Sequence, residues 1–310
     1  MDQQVNRESA RTDRAGVWEA VMDSPVRHVV QNACMAVPGV KRAARRFHHT
    51  GMGRSPEKIL PVLRALLEGT GAPAGKTVLE LGPGQTPDML VAALLLGASK
   101  AVAMDVAPYL DGSARDPGTY AGTRRWLADA LERGALPGAG TCRPERLDPS
   151  GPIPPDVLHL DLYDGTRLPL EPDSVDVIWS KSVLEHVKDP RAVFKELARV
   201  LRPGGVMCHI IDLRDHYHLN PGMDWLRFLR YSPRLWELMT SRRSSWANRL
   251  RASEWRTLIE ECGLALMRDH AVREPFGAGF ARERLTAPYA AMPEEELSVT
   301  WYTLVCGKPA

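Results

Sequence analysis

Val78-Leu79-Glu80-Leu81-Gly82-Pro83-Gly84 joins an apolar run to an acidic residue and then to a glycine-rich turn. Residues 76–81 have the character of a buried strand, and residues 89–96 form an almost wholly apolar run that reads as the next helix. Thr86 is expected to cap that helix and Pro87 to occupy its first position, where a missing N–H does no harm. Such a turn lies at the carboxyl end of a strand, where open α/β sheets bind ligands. Glycines there let the backbone approach a ligand where a Cβ would clash. Strand, Gly-x-Gly and helix also serve dinucleotides, so the turn alone does not choose the ligand.

Three downstream segments narrow the choice. Ala101-Val102-Ala103-Met104-Asp105 is a second apolar strand ending in an acid, where a carboxylate can accept both hydroxyls of a ribose. Leu158-His159-Leu160-Asp161-Leu162 follows, then Val175-Asp176-Val177-Ile178-Trp179-Ser180-Lys181-Ser182-Val183-Leu184-Glu185-His186-Val187, then Val200-Leu201-Arg202-Pro203-Gly204-Gly205. From about 76 to 308, interrupted by two insertions, this ordered series resembles the class I S-adenosylmethionine-dependent methyltransferases, in their small-molecule branch resembling methyltransferase type 11. Many members continue the turn with a third glycine, whereas Gln85-Thr86-Pro87 follows Gly84 here.

The resemblance implies a Rossmann-like α/β fold: a seven-stranded, mostly parallel sheet with helices on both faces and the last strand antiparallel beside the fifth. It implies S-adenosylmethionine as cofactor. Gly82, Pro83 and Gly84 would approach its methionine and ribose portion, Asp105 the ribose hydroxyls, Asp161 the adenine amine, and Leu162 the ring. Glu80 would order the turn or reach the amino group through water. Ser180 and Lys181 follow the fourth strand, where backbone carbonyls contact the methionine ammonium, and the Lys181 side chain is read as solvent-exposed.

Composition sets ordinary bounds. With 310 residues, 44% of them hydrophobic, the chain can bury a sizeable core, and a formal charge of +2 gives no general drive toward nucleic acid or membrane. No apolar run has the length of a membrane span and the first residues do not resemble a signal peptide, so a cytoplasmic location is expected. Cys34, Cys142, Cys208, Cys262 and Cys306 lie far apart, a pattern unlike a disulfide framework or a zinc site.

The expected organisation is an N-terminal helical cap over 1–72, then a cofactor-binding domain over 73–310 with insertions near 107–156 and 213–252. In the cap, Ser55 and Pro56 start a helix with an apolar stripe of Ile59, Leu60, Leu63, Leu66 and Leu67, and the basic run 41–49 reads as a solvated face. Strands are expected near 76–81, 100–105, 157–161, 174–180, 205–212, 264–271 and 298–307. Asp189 and Pro190 open a helix that Pro203-Gly204-Gly205 stops, and Ser253 is expected to cap a later one. Alternation of strand and helix implies a parallel sheet covered on both faces.

For the chemistry, His186 is the leading base candidate, because imidazole titrates near neutral pH and the residue follows the fourth strand. Asp212 and His216, in Asp212-Leu213-Arg214-Asp215-His216-Tyr217-His218, are the acceptor-side candidates; the cluster lacks a fixed metal spacing and no metal is expected. The second insertion carries Arg227, Arg230, Arg234, Arg242, Arg243, Arg249 and Arg251 with Trp225, Trp236 and Trp246. It reads either as a mobile lid over an anionic acceptor or as an amphipathic cap with solvated arginines. The expected function is O- or N-methylation of a small molecule, a specialised metabolite or sugar, with no nucleic-acid or membrane partner. Two other readings stay open: intramolecular cyclisation of the aminobutyryl group of the cofactor, and cofactor binding without catalysis. Oligomeric state is not legible.

Overall fold

In the computed structural model, residues 24–40, 43, 56–136, 147–148, 150–217, 224–277 and 279–310 are described. Ser55, Cys142, His218 and most of the basic run 41–49 lie outside them.

The alternating apolar segments form β1 (Thr77–Leu81), β2 (Lys100–Asp105), β3 (Leu158–Leu162), β4 (Val175–Lys181), β5 (Leu201–Asp212), β6 (Ala265–Arg273) and β7 (Val299–Gly307). They make one sheet in the order β3-β2-β1-β4-β5-β7-β6. Neighbours from β3 to β5 are parallel, and β7 runs antiparallel to both β5 and β6. The order reverses at β1, between β2 and β4, and the glycine turn leaves β1 there. That reversal is where a doubly wound sheet opens a ligand crevice.

Eight α-helices are described: α1 (Pro25–Cys34), α2 (Pro56–Thr70), α3 (Asp88–Leu95), α4 (Pro117–Glu132), α5 (Pro190–Val200), α6 (Pro233–Thr240), α7 (Ala252–Glu261) and α8 (Glu294–Leu297). Strand alternation sends each side chain to one of two apolar layers. Val78, Ala101, Ala103, Leu158, Val177, Trp179, Cys208 and Val305 share a layer with residues of α2, α3 and α4. Leu79, Leu81, Val102, Met104, Ile178, Met207 and Leu304 share the other with residues of α5 and α7. Every residue of α3 is buried, which explains why its sequence shows an apolar run without a polar face. Trp179 Nε1 donates to Thr70 Oγ1 at 3.0 Å, tying α2 to β4.

Several local expectations are corrected. The helix after the glycine turn starts at Asp88 with Pro87 at the cap position and no side-chain cap, so Thr86 does not cap it. Asp88 is buried, and Thr123 Oγ1 donates to it. The α7 cap is Arg251, whose amide donates to Glu254 Oε2 at 2.9 Å, and Ser253 lies within the helix. Pro203-Gly204-Gly205 belongs to β5, where pairing with β4 jumps from Val175↔Leu201 to Val177↔Val206. That bulge accommodates a proline that an uninterrupted ladder would reject. By contrast, Asp189 caps α5 as expected, accepting from the Ala192 amide at 2.9 Å.

The chain divides into two compact units, one comprising Met1–His48, Asp215–Trp246 and Gly277–Ala291, the other His49–Arg214, Ala247–Phe276 and Met292–Ala310. The expected boundary at 72 therefore falls within the sheet unit, because Ile59, Leu63, Leu66 and Leu67 of α2 belong to its core. The first long insertion also belongs there: α4 shares the apolar layer of that face, and the single hydroxyl proton of Tyr120 is shared between the carbonyls of Asp148 at 2.7 Å and Gly151 at 2.9 Å.

In the smaller unit α1 packs against α6. Asn32 joins them, its Nδ2 donating to the Leu238 carbonyl at 3.0 Å and its Oδ1 accepting from the Arg242 amide at 2.8 Å. Arg230 pairs with Asp224. The Arg243 guanidinium lies 4.2 Å from the Tyr217 ring centroid, with Nη1 2.9 Å from His28 Nδ1. The Arg230 and Arg243 side chains are thus engaged within their own unit, which departs from the cap reading with solvated arginines.

Candidate functional site

Alternation along the strands places one side chain from each at the carboxyl edge of the sheet. On the face shared with α2, α3 and α4 these are Leu162 of β3, Asp105 of β2, Glu80 of β1, Lys181 of β4 and Asp212 of β5, with Trp301 of antiparallel β7 beside Asp212. The glycine turn sits in the middle of this row. Gly82 and Gly84 have φ of 68° and 69°, and the Gly82 amide donates to the Met104 carbonyl at 2.8 Å, docking the turn on β2. A Cβ on Gly82 would stand 2.5 Å from Val183 Cγ2. At Gly82 the missing side chain therefore makes room for the segment after β4, in addition to allowing left-handed backbone.

Asp105 holds the turn from the neighbouring strand. Its Oδ2 accepts from the Gly84 amide at 3.4 Å and its Oδ1 from the Ala107 amide at 3.2 Å. Burial raises its pKa, and the amides of Ala107, Gly84 and Val106 oppose that shift. Each oxygen retains acceptor capacity for a ligand hydroxyl.

Glu80 is 8% exposed, and among the described residues its Oε2 is buried without a hydrogen-bond partner. Burial first, then Asp88 and Asp105, push its pKa up from 4.5 to about 8. Between these values the folded protein keeps a proton that the unfolded chain has lost. This contribution to stability is therefore fully present below about pH 4.5 and lost as pH rises through about 8. Chemical denaturation of the ligand-free protein at about pH 6 and about pH 9 should show this decline, and Glu80→Gln should flatten it. An identical pH slope in the variant would assign the decline to other groups.

The remaining expected cofactor residues divide by face. Leu162 is 46% exposed and pairs in register with Asp105. Asp161 pairs with Met104, whose side chain belongs to the opposite layer; its Oδ1 accepts from the Leu162 amide at 2.8 Å and its Oδ2 lies 3.5 Å from His159 Nε2. The structure therefore brings Leu162, not Asp161, into line with Asp105. Ser180 also points to the opposite layer, where its buried hydroxyl lies 2.7 Å from His209 Nδ1. Full burial lowers the His209 pKa to about 3, so its ring is neutral and the pair belongs to the core.

At the acceptor end, Asp212 is 5% exposed and receives a two-point contact from Arg214, whose Nε and Nη2 both donate at 2.8 Å. Glu185 Oε1 accepts from the Asp212 amide at 3.3 Å. The Arg214 guanidinium lies 4.9 Å from the Trp301 ring centroid and Lys181 Nζ lies 5.1 Å from it. The Asp212 carboxylate, expected on the acceptor side, is thus paired with Arg214. His186 closes a short 3₁₀ turn, Leu184–His186, after β4 and is half-buried. Asn248 fixes that turn, its Nδ2 donating to the Leu184 and Val187 carbonyls at 2.8 and 3.2 Å. His216 belongs to the smaller unit.

Sequence reasoning missed Arg214, Trp301 and the orientation of Lys181. Period-two alternation from Trp179 already separates Lys181 from Ser180; the Trp301 contact depends on β7 inserting next to β5.

Residues 145–209 match the family model described as a methyltransferase domain. The methyltransferase GfsG of Streptomyces halstedii is 46% identical over 50 residues, covering 16% of this chain and 18% of that protein. An uncharacterized methyltransferase of Mycobacterium sp. (strain JLS) is 52% identical over 42 residues, covering 14% of this chain and 17% of that protein. The chain thus matches less than a fifth of the length of these curated relatives. Among solved structures, an S-adenosylmethionine-dependent methyltransferase from Mesorhizobium loti aligns with a TM-score of 0.45 at 17% identity, over 81% of this chain and 97% of that one. No described helix is long and apolar enough to cross a membrane.

Proposed function

We propose that this chain, which carries a class I S-adenosylmethionine-dependent methyltransferase domain, uses that cofactor to methylate a small-molecule acceptor at oxygen or nitrogen. The observation that carries the proposal is the row at the switch point: Leu162, Asp105 and Glu80 on adjacent strands around a turn with two left-handed glycines. The donor set fits the cofactor. Asp105 has acceptor capacity for a ribose, Leu162 offers apolar surface to a base, and Glu80 presents a buried oxygen without a partner among the described residues. When bound, S-adenosylmethionine supplies a methyl group activated by its sulfonium.

The protein's part is then chiefly to hold and align. In-line displacement at carbon gains most from fixing the nucleophile close to the methyl carbon on the side opposite the sulfur. His186, held by Asn248 after β4, takes the acceptor proton where the acceptor carries one. Asp212 orients Arg214 against Trp301, leaving the proton to His186. His216 enters no step of this scheme.

Calorimetric titration with S-adenosylhomocysteine tests the reading. Asp105→Ala should weaken binding by about 1.5–3 kcal/mol, the scale of hydrogen bonds to a charged group. Unchanged affinity would remove Asp105 from the ribose site, and no binding by the wild-type protein would remove the cofactor. Methylthioadenosine released from S-adenosylmethionine without an acceptor would replace methyl transfer by cyclisation of the aminobutyryl group.

A further inference from the structure

Lys181 stands apart from the charged groups around it. Residues on either side of it are accounted for: Ser180 by His209, and Asp212 by Arg214. Lys181 continues the layer of Val177 and Trp179, so its side chain leaves the sheet on the same face as Glu80 and Asp105. It is half-buried, yet among the described residues its ammonium makes no hydrogen bond or ion pair and rests only against the Trp301 ring, 5.1 Å from the centroid. Burial lowers its pKa, as does Arg214, while Glu185 and Asp212 partly counter the shift. An ammonium with three donors, partly desolvated and without an acceptor, points to an anionic ligand group.

The sheet indicates which group. Strands lie about 4.8 Å apart, so the carboxyl ends of β2 and β4 are separated by about 10 Å with β1 between them. With a ribose held at Asp105, the 5′ substituent would lie toward the glycine turn, and the aminobutyryl chain would extend across β1 toward the end of β4. The flexible stem of Lys181 lets the ammonium swing from Trp301 toward that point. We propose that Lys181 is the cation that receives the carboxylate of the cofactor's methionine tail. The inference rests on the cofactor reading above and assigns the tail a side-chain partner, where the resemblance pointed only to backbone carbonyls near this strand end.

Two probes separate the tail from the nucleoside: S-adenosylhomocysteine, which carries the carboxylate, and methylthioadenosine, which lacks the amino-acid end. Calorimetry is run on the full-length wild-type chain, Lys181→Met and Lys181→Arg. Lys181→Met should lose roughly 10- to 100-fold in affinity for S-adenosylhomocysteine, the range for a charged hydrogen bond, while methylthioadenosine binding stays within about twofold. Lys181→Arg, which keeps the charge, should recover most of the loss. Unchanged S-adenosylhomocysteine affinity in Lys181→Met overturns the assignment, as does an equal loss for both probes. Failure of the arginine variant to bind better than the methionine variant also overturns it. If the wild-type protein binds neither probe, the cofactor reading itself fails, and the role of Lys181 fails with it.

Discussion

Replacing Arg251 by leucine is expected to destabilise the sheet unit by roughly 3–5 kcal/mol. Arg251 is fully buried. Its Nη1 donates to the Leu213 carbonyl at 2.5 Å, and its Nη2 to the carbonyls of Val299 at 2.6 Å and Leu297 at 3.1 Å. One guanidinium thereby joins the exit of β5, the start of α7 and the entry to β7. Leucine fills part of the volume but supplies no donor. The carbonyls it leaves behind are buried, and each unsatisfied group costs about 1–3 kcal/mol. A lysine side chain lacks the planar fork, so Arg251→Lys should recover only a minor part. Urea unfolding of both variants measures the effect; a loss below about 1 kcal/mol for Arg251→Leu would mean that water or relaxed backbone replaces the arginine.

Gly82→Ala is expected to cost about 2–5 kcal/mol and to impair cofactor binding at the same time. Two penalties coincide. The φ of 68° at this position costs an L-residue about 1–2 kcal/mol. The new methyl would also lie 2.5 Å from Val183 Cγ2 and 3.1 Å from its Cγ1, and overpacking of this kind costs about 1–3 kcal/mol. Valine is β-branched and cannot swing aside cheaply. Relief must come from moving the backbone after β4 or the turn itself, and both border the proposed site. Val183→Ala should therefore restore part of the stability of Gly82→Ala, leaving the φ penalty. Equal destabilisation with and without Val183→Ala would show that the close approach contributes nothing.

Much of the fold was legible because strands buried on both faces carry apolar residues continuously, and glycines, prolines and acids punctuate them. Val78 to Leu81, Ala101 to Asp105 and Val175 to Lys181 all lie in strands within a residue or two of expectation. The cap at Asp189 was legible because its hydrogen bond closes within three residues. Caps at Thr86 and Ser253 failed because burial of Asp88 and Arg251 overrides local preference. The charge run from Arg227 to Arg251 was ambiguous for a related reason. A guanidinium facing water and one facing Asp224, Tyr217 or three buried backbone carbonyls have the same sequence signature.

The sheet, the glycine turn and the placing of Glu80 and Asp105 at adjacent strand ends are written in the chain itself, because each depends on short-range periodicity and turn chemistry. Which neighbouring polar residues share that face is a matter of packing between strands. Ser180 faces His209 because β5 pairs with β4 in the observed register, Asp212 faces Arg214, and Lys181 meets Trp301 because β7 inserts antiparallel beside β5. These partners lie from 2 to 120 positions apart in sequence and are brought together by strand register, which no local pattern specifies.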